Sequence, residues 1–229
     1  MINPSPFEKK IGITFSNKNL LLEALTHRSY CNEHPEWKLG HNERLEFLGD
    51  AVLEIVVTEH LFRSFPNPEG DLTAWRASLV NSNMLSRIAA ELSINDYVLL
   101  SKGETKDIGR ARQVILANAL EAIIGAIYLD QGIDAASRFI ASFVFPQLLP
   151  IIEGKLFQDA KSVFQEIAQE KVGVTPRYEV LAEWGPDHDK HFRVGLYLSD
   201  ELVAEGEGSS KQEAQRNAAQ NGLQIKNWD

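Results

Sequence analysis

Nine consecutive residues, Asn42-Glu43-Arg44-Leu45-Glu46-Phe47-Leu48-Gly49-Asp50, place three carboxylates where a helix would gather them. At about 100° per residue, Glu43, Glu46 and Asp50 fall within an arc of about 60° on one side of such a helix. Leu45, Leu48, Val52, Ile55 and Val56 centre on the other side, so the helix can be anchored in a core while its acids face outward. A solvated acidic face is the plain alternative for any such stripe. Against it, Glu54 extends the stripe, and Phe47 stands on the acidic side, where a face meant only for water has no use for an aromatic ring.

Residues 115–130 repeat the arrangement. Asn118 and Glu121 share a helix face with the small residues Ala122 and Gly125, while Leu116, Leu120, Ile123, Ile124 and Ile127 share the other. Small residues let another backbone come close. A buried helix with one capped or solvated glutamate is the alternative reading. Brought together, the two helices would offer Glu46, Asp50, Asn118 and Glu121 as an all-oxygen set. Hard oxygen donors without His or Cys suit Mg²⁺, with Mn²⁺ as a substitute, rather than zinc.

The elements that must position these residues fall into two parts. Up to about residue 150 the texture is helical and apolar. Beyond Pro150 it changes to a helix opening at Asp159 with Val163, Phe164 and Ile167 inward, then three strands at residues 177–183, 190–198 and 202–207, separated by Gly185-Pro186-Asp187 and Ser199-Asp200. A last helix over residues 210–225 packs through Ala214, Ala218, Ala219 and Leu223. The hinge is expected at Glu153-Gly154-Lys155, giving domains 1–153 and 159–229. The expected fold is an all-α domain followed by a small α+β domain of order α-β-β-β-α.

Taken together, the Leu25-Thr26-His27-Arg28-Ser29-Tyr30 segment, the Asn42 to Asp50 run, Glu69-Gly70-Asp71-Leu72 and the second acidic helix resemble bacterial ribonuclease III, in that family's order. The resemblance implies that Glu46, Asp50, Asn118 and Glu121 form the metal-binding catalytic cluster, with Asp50 and Glu121 catalytic and Glu43 and Glu69 nearby. The family usually has Asp where this chain has Asn118, which removes a formal charge but keeps a carbonyl oxygen for the metal or its water. A homodimer is implied as well, with one site per subunit, each cutting one strand to leave a short 3′ overhang. Phe47 is expected to fill a pocket on the partner subunit. Ribosomal RNA precursors and structured messenger RNA are the expected substrates.

The tail is similar to the double-stranded-RNA-binding domain of the same family, through Asp159 to Glu166, Gly185-Pro186-Asp187-His188, and Gly206 to Lys211 leading into an Ala-rich helix. Such domains read an A-form duplex by shape. By this resemblance Gln165 and Glu166 reach one minor groove, the His188 loop the next, and Ser210 and Lys211 at a helix start meet the phosphates between. Each has a plain alternative: Gln165 an exposed helix position, His188 a turn residue, Ser210 a helix cap. The family often has a second basic residue where this chain has Gln212, and residues 159–229 carry 13 acids against 8 bases. Modest, salt-sensitive affinity is the consequence.

Charge runs against the assignment at first sight, with 32 acids against 23 bases and a formal net charge of −9 where a duplex binder usually shows a basic face. A metal-dependent nuclease, however, must concentrate acids at its centre, and bound cations reverse the local sign. Lys102, Lys106, Arg110 and Arg112 gather just before the second acidic helix, where they can meet phosphates or simply face solvent. The single cysteine, Cys31, excludes an intramolecular disulfide and a Cys-based zinc site. The first dozen residues lack the apolar core of a signal peptide, and no run of about 18 apolar residues is present, so a cytoplasmic protein without membrane partners is expected. Two other classes remain open: a catalytically silent RNA binder in which Asn118 marks a degraded site, and a protein-interaction scaffold. Metal-dependent cleavage separates the first, and duplex binding at low salt the second.

Overall fold

The computed structural model describes residues 4–106, 109–153, 160–186 and 190–228. Two compact units divide the chain, residues 1–157 and 158–229. The first contains nine α-helices among its described residues: α1 (Ser5–Ile11), α2 (Lys18–Ala24), α3 (Arg28–Glu33), α4 (Glu43–Ser64), α5 (Glu69–Val80), α6 (Ser82–Glu91), α7 (Arg110–Gln131), α8 (Ile133–Phe143) and α9 (Leu148–Glu153). Short polar side chains set several boundaries. Asn17 caps α2 by accepting from the Asn19 amide at 3.1 Å, and Asn81 caps α6 by accepting from Met84 at 3.0 Å. Asp130, near the end of α7, accepts from the backbone N–H groups of Ser16 and Asn17 at 2.8 Å and so pins the start of α2.

The core of this unit forms around α4 and α7. Leu53, Val57 and Leu61 meet Leu120, Ile123, Ile124 and Ile127, with Phe139 of α8 behind them, all essentially inaccessible to water. By length and composition α7 could cross a membrane, as could the stretch Ile133–Glu153, but most of the apolar residues of α7 are buried in this core.

One expectation for α4 is corrected. Ile55 does not join the buried face; it is 58% exposed. The buried set is Leu45, Gly49, Val52, Leu53, Val56, Val57 and Leu61, so the inward arc is turned toward the Gly49 and Leu53 side. On a 100° wheel Ile55 falls about 120° from Gly49, outside that arc, and only about 80° from Phe47.

The second unit holds α10 (Ala160–Val172), β1 (Arg177–Trp184), β2 (His191–Leu198), β3 (Glu201–Gly208) and α11 (Lys211–Lys226). The strands form one antiparallel sheet in the order β1-β2-β3. A bulge between Val180 and Ala182 shifts the first pairing, and another irregularity follows Leu196 in the second. Phe164 of α10, Leu196 and Leu198 of β2, and Ala218, Ala219 and Leu223 of α11 make a separate small core. At Gly206 a Cβ would come within 2.1 Å of the Ala218 nitrogen, so glycine is what lets α11 lie flat on β3.

Candidate functional site

The acids meet where α4 and α7 cross. A Cβ at Gly49 would stand 1.8 Å from the Glu121 carbonyl oxygen, and one at Gly125 would stand 2.3 Å from the Leu45 carbonyl oxygen. Backbone therefore lies on backbone. Glu46 and Asp50, which flank Gly49 on α4, come beside Asn118 and Glu121 of α7. Gly49 stood in the sequence run, but nothing in the residue types alone marked it as the partner of Gly125.

Electrostatics show how tightly the cluster is drawn. Burial raises Glu121, and the charges of Asp50 and Glu46 raise it further, to about 7. Glu46 is raised as well, first by burial and then by Glu43, with Asp50 adding to it. A hydrogen bond from the Asn118 side chain pulls the other way. Asp50 lies at the exposed edge. Among the described residues no Lys, Arg or His pairs with Glu46, Asp50 or Glu121; the nearby guanidinium groups are committed elsewhere, Arg28 to Glu43 at 3.5 Å and Arg76 to Glu54 at 3.1 Å, and the His41 ring stands 3.8 Å from Glu43.

Glu43 thus sits beside the cluster, paired with Arg28. Glu54 is withdrawn from the acidic stripe by Arg76. Glu69 is not brought to the cluster within the chain. It opens α5 and lines a cavity of about 550 Å³ together with Leu61, Phe62, Phe65, Leu72 and Arg76, at the far end of α4. From Asp50 to Phe62 a helix rises about 18 Å, which is why an acid after the C-terminus of α4 cannot reach acids near its N-terminus.

The donor set suits a hard divalent cation. It offers three carboxylates and an amide, no nitrogen or sulfur donor, and no internal countercharge. The carboxylates are not already closed on one point: among the described residues no group of three His, Cys, Asp or Glu stands ready to enclose an ion.

On the second unit, Gln165 and Glu166 are exposed on α10, and Lys211 is exposed at the start of α11 with its ammonium 5.5 Å from the Phe192 ring. Ser210 caps α11 by accepting from the Glu213 amide at 3.2 Å, while Glu213 accepts from the Ser209 amide and hydroxyl at 2.8 and 2.6 Å. Lys161, one turn before Gln165 on α10, donates to the Gln215 side-chain oxygen at 2.8 Å. It therefore joins the Gln165 side of α10 to the first turns of α11. His188 and Asp187 lie outside the described residues.

Some of the domain's acids are engaged away from that face, although Glu166 and Glu213 remain on it. Because Gly206 is backed by α11, strand alternation turns Glu205 and Glu207 to the opposite side of the sheet, where Arg193 bonds Glu207 at 2.6 Å and approaches Glu205 at 3.8 Å. Glu179 is likewise taken by Arg177. Overall charge hid this separation.

Known proteins agree with both units. The family model described as Ribonuclease-III-like matches residues 17–148, and the double-stranded RNA binding motif matches residues 160–226. A protein of Carboxydothermus hydrogenoformans named Ribonuclease 3 is 46% identical over 219 residues, covering 95% of this chain and 93% of its own length. One of Enterococcus faecalis with the same name is 43% identical over 220 residues, covering 94% of each. Among solved structures, the nuclease domain of ribonuclease III from Campylobacter jejuni, described for flexibility in a region involved in dimer formation, aligns with a TM-score of 0.58 at 43% identity. It covers 65% of this chain and all of that domain. The chain belongs to the ribonuclease III family and is an endoribonuclease that carries a double-stranded-RNA-binding domain.

Proposed function

We propose that this enzyme is a cytoplasmic Mg²⁺-dependent homodimer that cuts both strands of duplex RNA with a stagger, leaving short 3′ overhangs, and so processes ribosomal RNA precursors and structured messenger RNA. The observation that carries the metal dependence is the close crossing of α4 and α7 at Gly49 and Gly125, which draws Glu46, Asp50, Asn118 and Glu121 together; burial and the neighbouring acids raise Glu121 to about 7, and no Lys, Arg or His among the described residues pairs with the three carboxylates. A divalent ion is the simplest group that would let all three ionise at neutral pH. Glu46, Asp50 and Glu121 would hold it through carboxylate oxygens, with the Asn118 carbonyl oxygen beside them; Mn²⁺ satisfies the same donors. When bound, the ion supplies Lewis acidity toward water and toward the phosphate oxygens during in-line displacement. The carboxylates act as holders and orienting groups rather than as nucleophiles. Asp50 and Glu121, on opposite helices of a crossing fixed by two glycines, set the geometry.

The dimer follows from the outer side of α4. Phe47 is 82% exposed, Ile55 58% and Phe62 76%, an apolar stripe that water does not favour. Ile55 lies midway between the two phenylalanines. A two-fold axis near it would run two copies of α4 antiparallel and seat Phe47 of each in the cavity beside Phe62 of the other. That pairing would also carry Glu69 of the partner subunit toward the acids at the start of α4. The dimerisation region named for the Campylobacter jejuni relative supports this reading.

Duplex binding is assigned to the exposed face made by Lys161, Gln165, Glu166, Ser210 and Lys211, with His188 completing it by resemblance. The test is a perfect RNA duplex labelled at each 5′ end and incubated with Mg²⁺. Paired cuts offset toward the 3′ ends are expected; nicks confined to one strand would refute the dimeric two-site reading.

A further inference from the structure

On the side of the sheet turned away from α10 and α11, one side chain from each strand meets over Gly195. Val194 and Leu196 are buried against the helices, so Gly195 and Tyr197 and the residues paired with them point outward. Glu179 and Glu205 flank Gly195, and Arg177 and Leu202 flank Tyr197. A Cβ at Gly195 would stand 2.9 Å from Leu202 Cδ1 and Tyr197 Cε2 and 3.1 Å from Leu181 Cδ1, so these three side chains close over the glycine. They do not bury one another. Leu181 is 41% exposed and Leu202 43%, and Trp184, stacked on His191 along the same face, is 41% exposed. Charge frames the apolar patch on both edges. Glu179 and Glu205 each lie one strand, about 4.8 Å, from Gly195, with Glu207 further along β3. The guanidinium groups of this face are engaged within it: Arg177 holds Glu179 and lies 4.9 Å from the Tyr197 ring, while Arg193 bonds Glu207 at 2.6 Å and lies 5.8 Å from the Trp184 ring. Glu205 is approached by Arg193 at 3.8 Å. Carboxylates on either side disfavour phosphates here. A second copy turned about an axis along or across the strands would set Glu179 and Glu205 against carboxylates again. The complement of this face is an apolar side chain with a cation on each side.

We propose that the outer face of the sheet is a docking surface for a basic segment of another protein. One apolar side chain of that segment sits among Leu181, Tyr197 and Leu202, and a lysine or arginine on each side of it reaches Glu179 and Glu205. In an extended segment, side chains two residues apart stand about 7 Å apart on one face, which brings a basic-x-apolar-x-basic run within reach of both carboxylates. The exposed apolar patch supplies the contact, and the flanking acids select the partner. Duplex RNA, assigned to the side of α10 and α11, can be bound at the same time.

The probe is a fluorescein-labelled peptide of repeated Lys-Ser-Leu-Ser-Lys units, titrated with the full-length protein and read by fluorescence anisotropy. The parent should bind it with a Kd of about 100 μM or tighter. Leu181→Thr combined with Leu202→Thr removes the apolar contact while keeping residues that suit a strand, and should weaken binding at least about tenfold. Glu205→Lys should weaken it several-fold. A peptide with serine in place of leucine should lose at least about tenfold against the parent, which separates docking from charge attraction alone. Melting temperature and duplex-RNA binding should stay parental in both variants; if the leucine pair does not fold, Glu205→Lys decides. A short RNA duplex added to the bound peptide should leave the anisotropy unchanged. No binding by the parent, parental binding by Glu205→Lys or by a folded leucine pair, or equal binding of the leucine-free peptide would overturn the proposal. Displacement by the duplex would overturn it too, because the peptide would then lie on the RNA face.

Discussion

Gly49 and Gly125 face each other where α4 crosses α7, each so close to the opposite backbone that a methyl group on either would overlap a carbonyl oxygen. That contact decides which side chains can meet. With any larger residue the helices would separate, and Glu46 and Asp50 would draw back from Asn118 and Glu121.

Gly49→Ala should therefore abolish most cleavage although every oxygen donor remains. Forcing a methyl into backbone contact costs about 1–3 kcal/mol or more. Urea unfolding and cleavage of a long duplex, measured on the same preparation, check this. Parental stability with parental activity would mean that the two backbones do not touch at this crossing.

The elevated Glu121 makes stability of the metal-free protein depend on pH. Its folded-state value of about 7 lies above the ordinary 4.5, so between those limits the folded protein binds more protons than the unfolded chain. Stability should then be greatest at the acid end and decline as pH rises through about 7. Glu46, shifted in the same direction, adds to the slope. After discounting for partial solvent exposure, Glu121 accounts for about 1–2 kcal/mol, a few degrees in melting temperature. Melting curves in EDTA from pH 4.5 to 8 should show the decline, and Glu121→Gln should flatten it. A rising curve in the parent would give the shift the wrong sign.

Phe47→Asp should convert the proposed dimer to a monomer. A carboxylate carried into the partner's cavity meets Glu69 and finds Arg76 already paired with Glu54, and burying it there costs several kcal/mol, more than an interface built on one helix can absorb. Light scattering reads the mass directly, and a variant that stays dimeric would place the interface elsewhere.

Much of this site was legible in the sequence because helical spacing converts directly into direction. Glu43, Glu46 and Asp50 on one face of α4, and Asn118 and Glu121 beside Gly125 on α7, needed only the 100° step. The length of α4 was harder to use. Its inward arc depends on where α7 crosses, which no single-helix pattern contains, and so Ile55 was expected inside and is found outside. Glu69 was adjacent in motif order but lies a helix length away within one subunit. The three strands stood out through β-branched and aromatic alternation, whereas the separation of acids from the duplex face required knowing that α11 lies over Gly206. Lys161 went unassigned because its partner, Gln215, is distant in sequence.

A chain shortened to residues 1–158 keeps all four proposed cation-holding residues and the larger core but loses the duplex-reading face. It should still cut at low salt and raised Mg²⁺, with activity falling faster than that of the full chain as salt rises. Equal salt tolerance would show that the second domain contributes something other than RNA affinity.

If Glu46, Asp50, Asn118 and Glu121 hold the cation on which cutting depends, cleavage and duplex binding must be separable. Cleavage of one long RNA duplex by the parent and by Glu121→Gln, each titrated with Mg²⁺ and paired with a gel-shift measurement of duplex binding, tests it most directly. The parent should cut only when Mg²⁺ is present, while Glu121→Gln should bind the duplex nearly as well and cut at least about a hundredfold more slowly, since a lost cation-holding group removes several kcal/mol of transition-state stabilisation. Cutting by the parent in EDTA, or cutting by Glu121→Gln within a few-fold of the parent, would contradict the account.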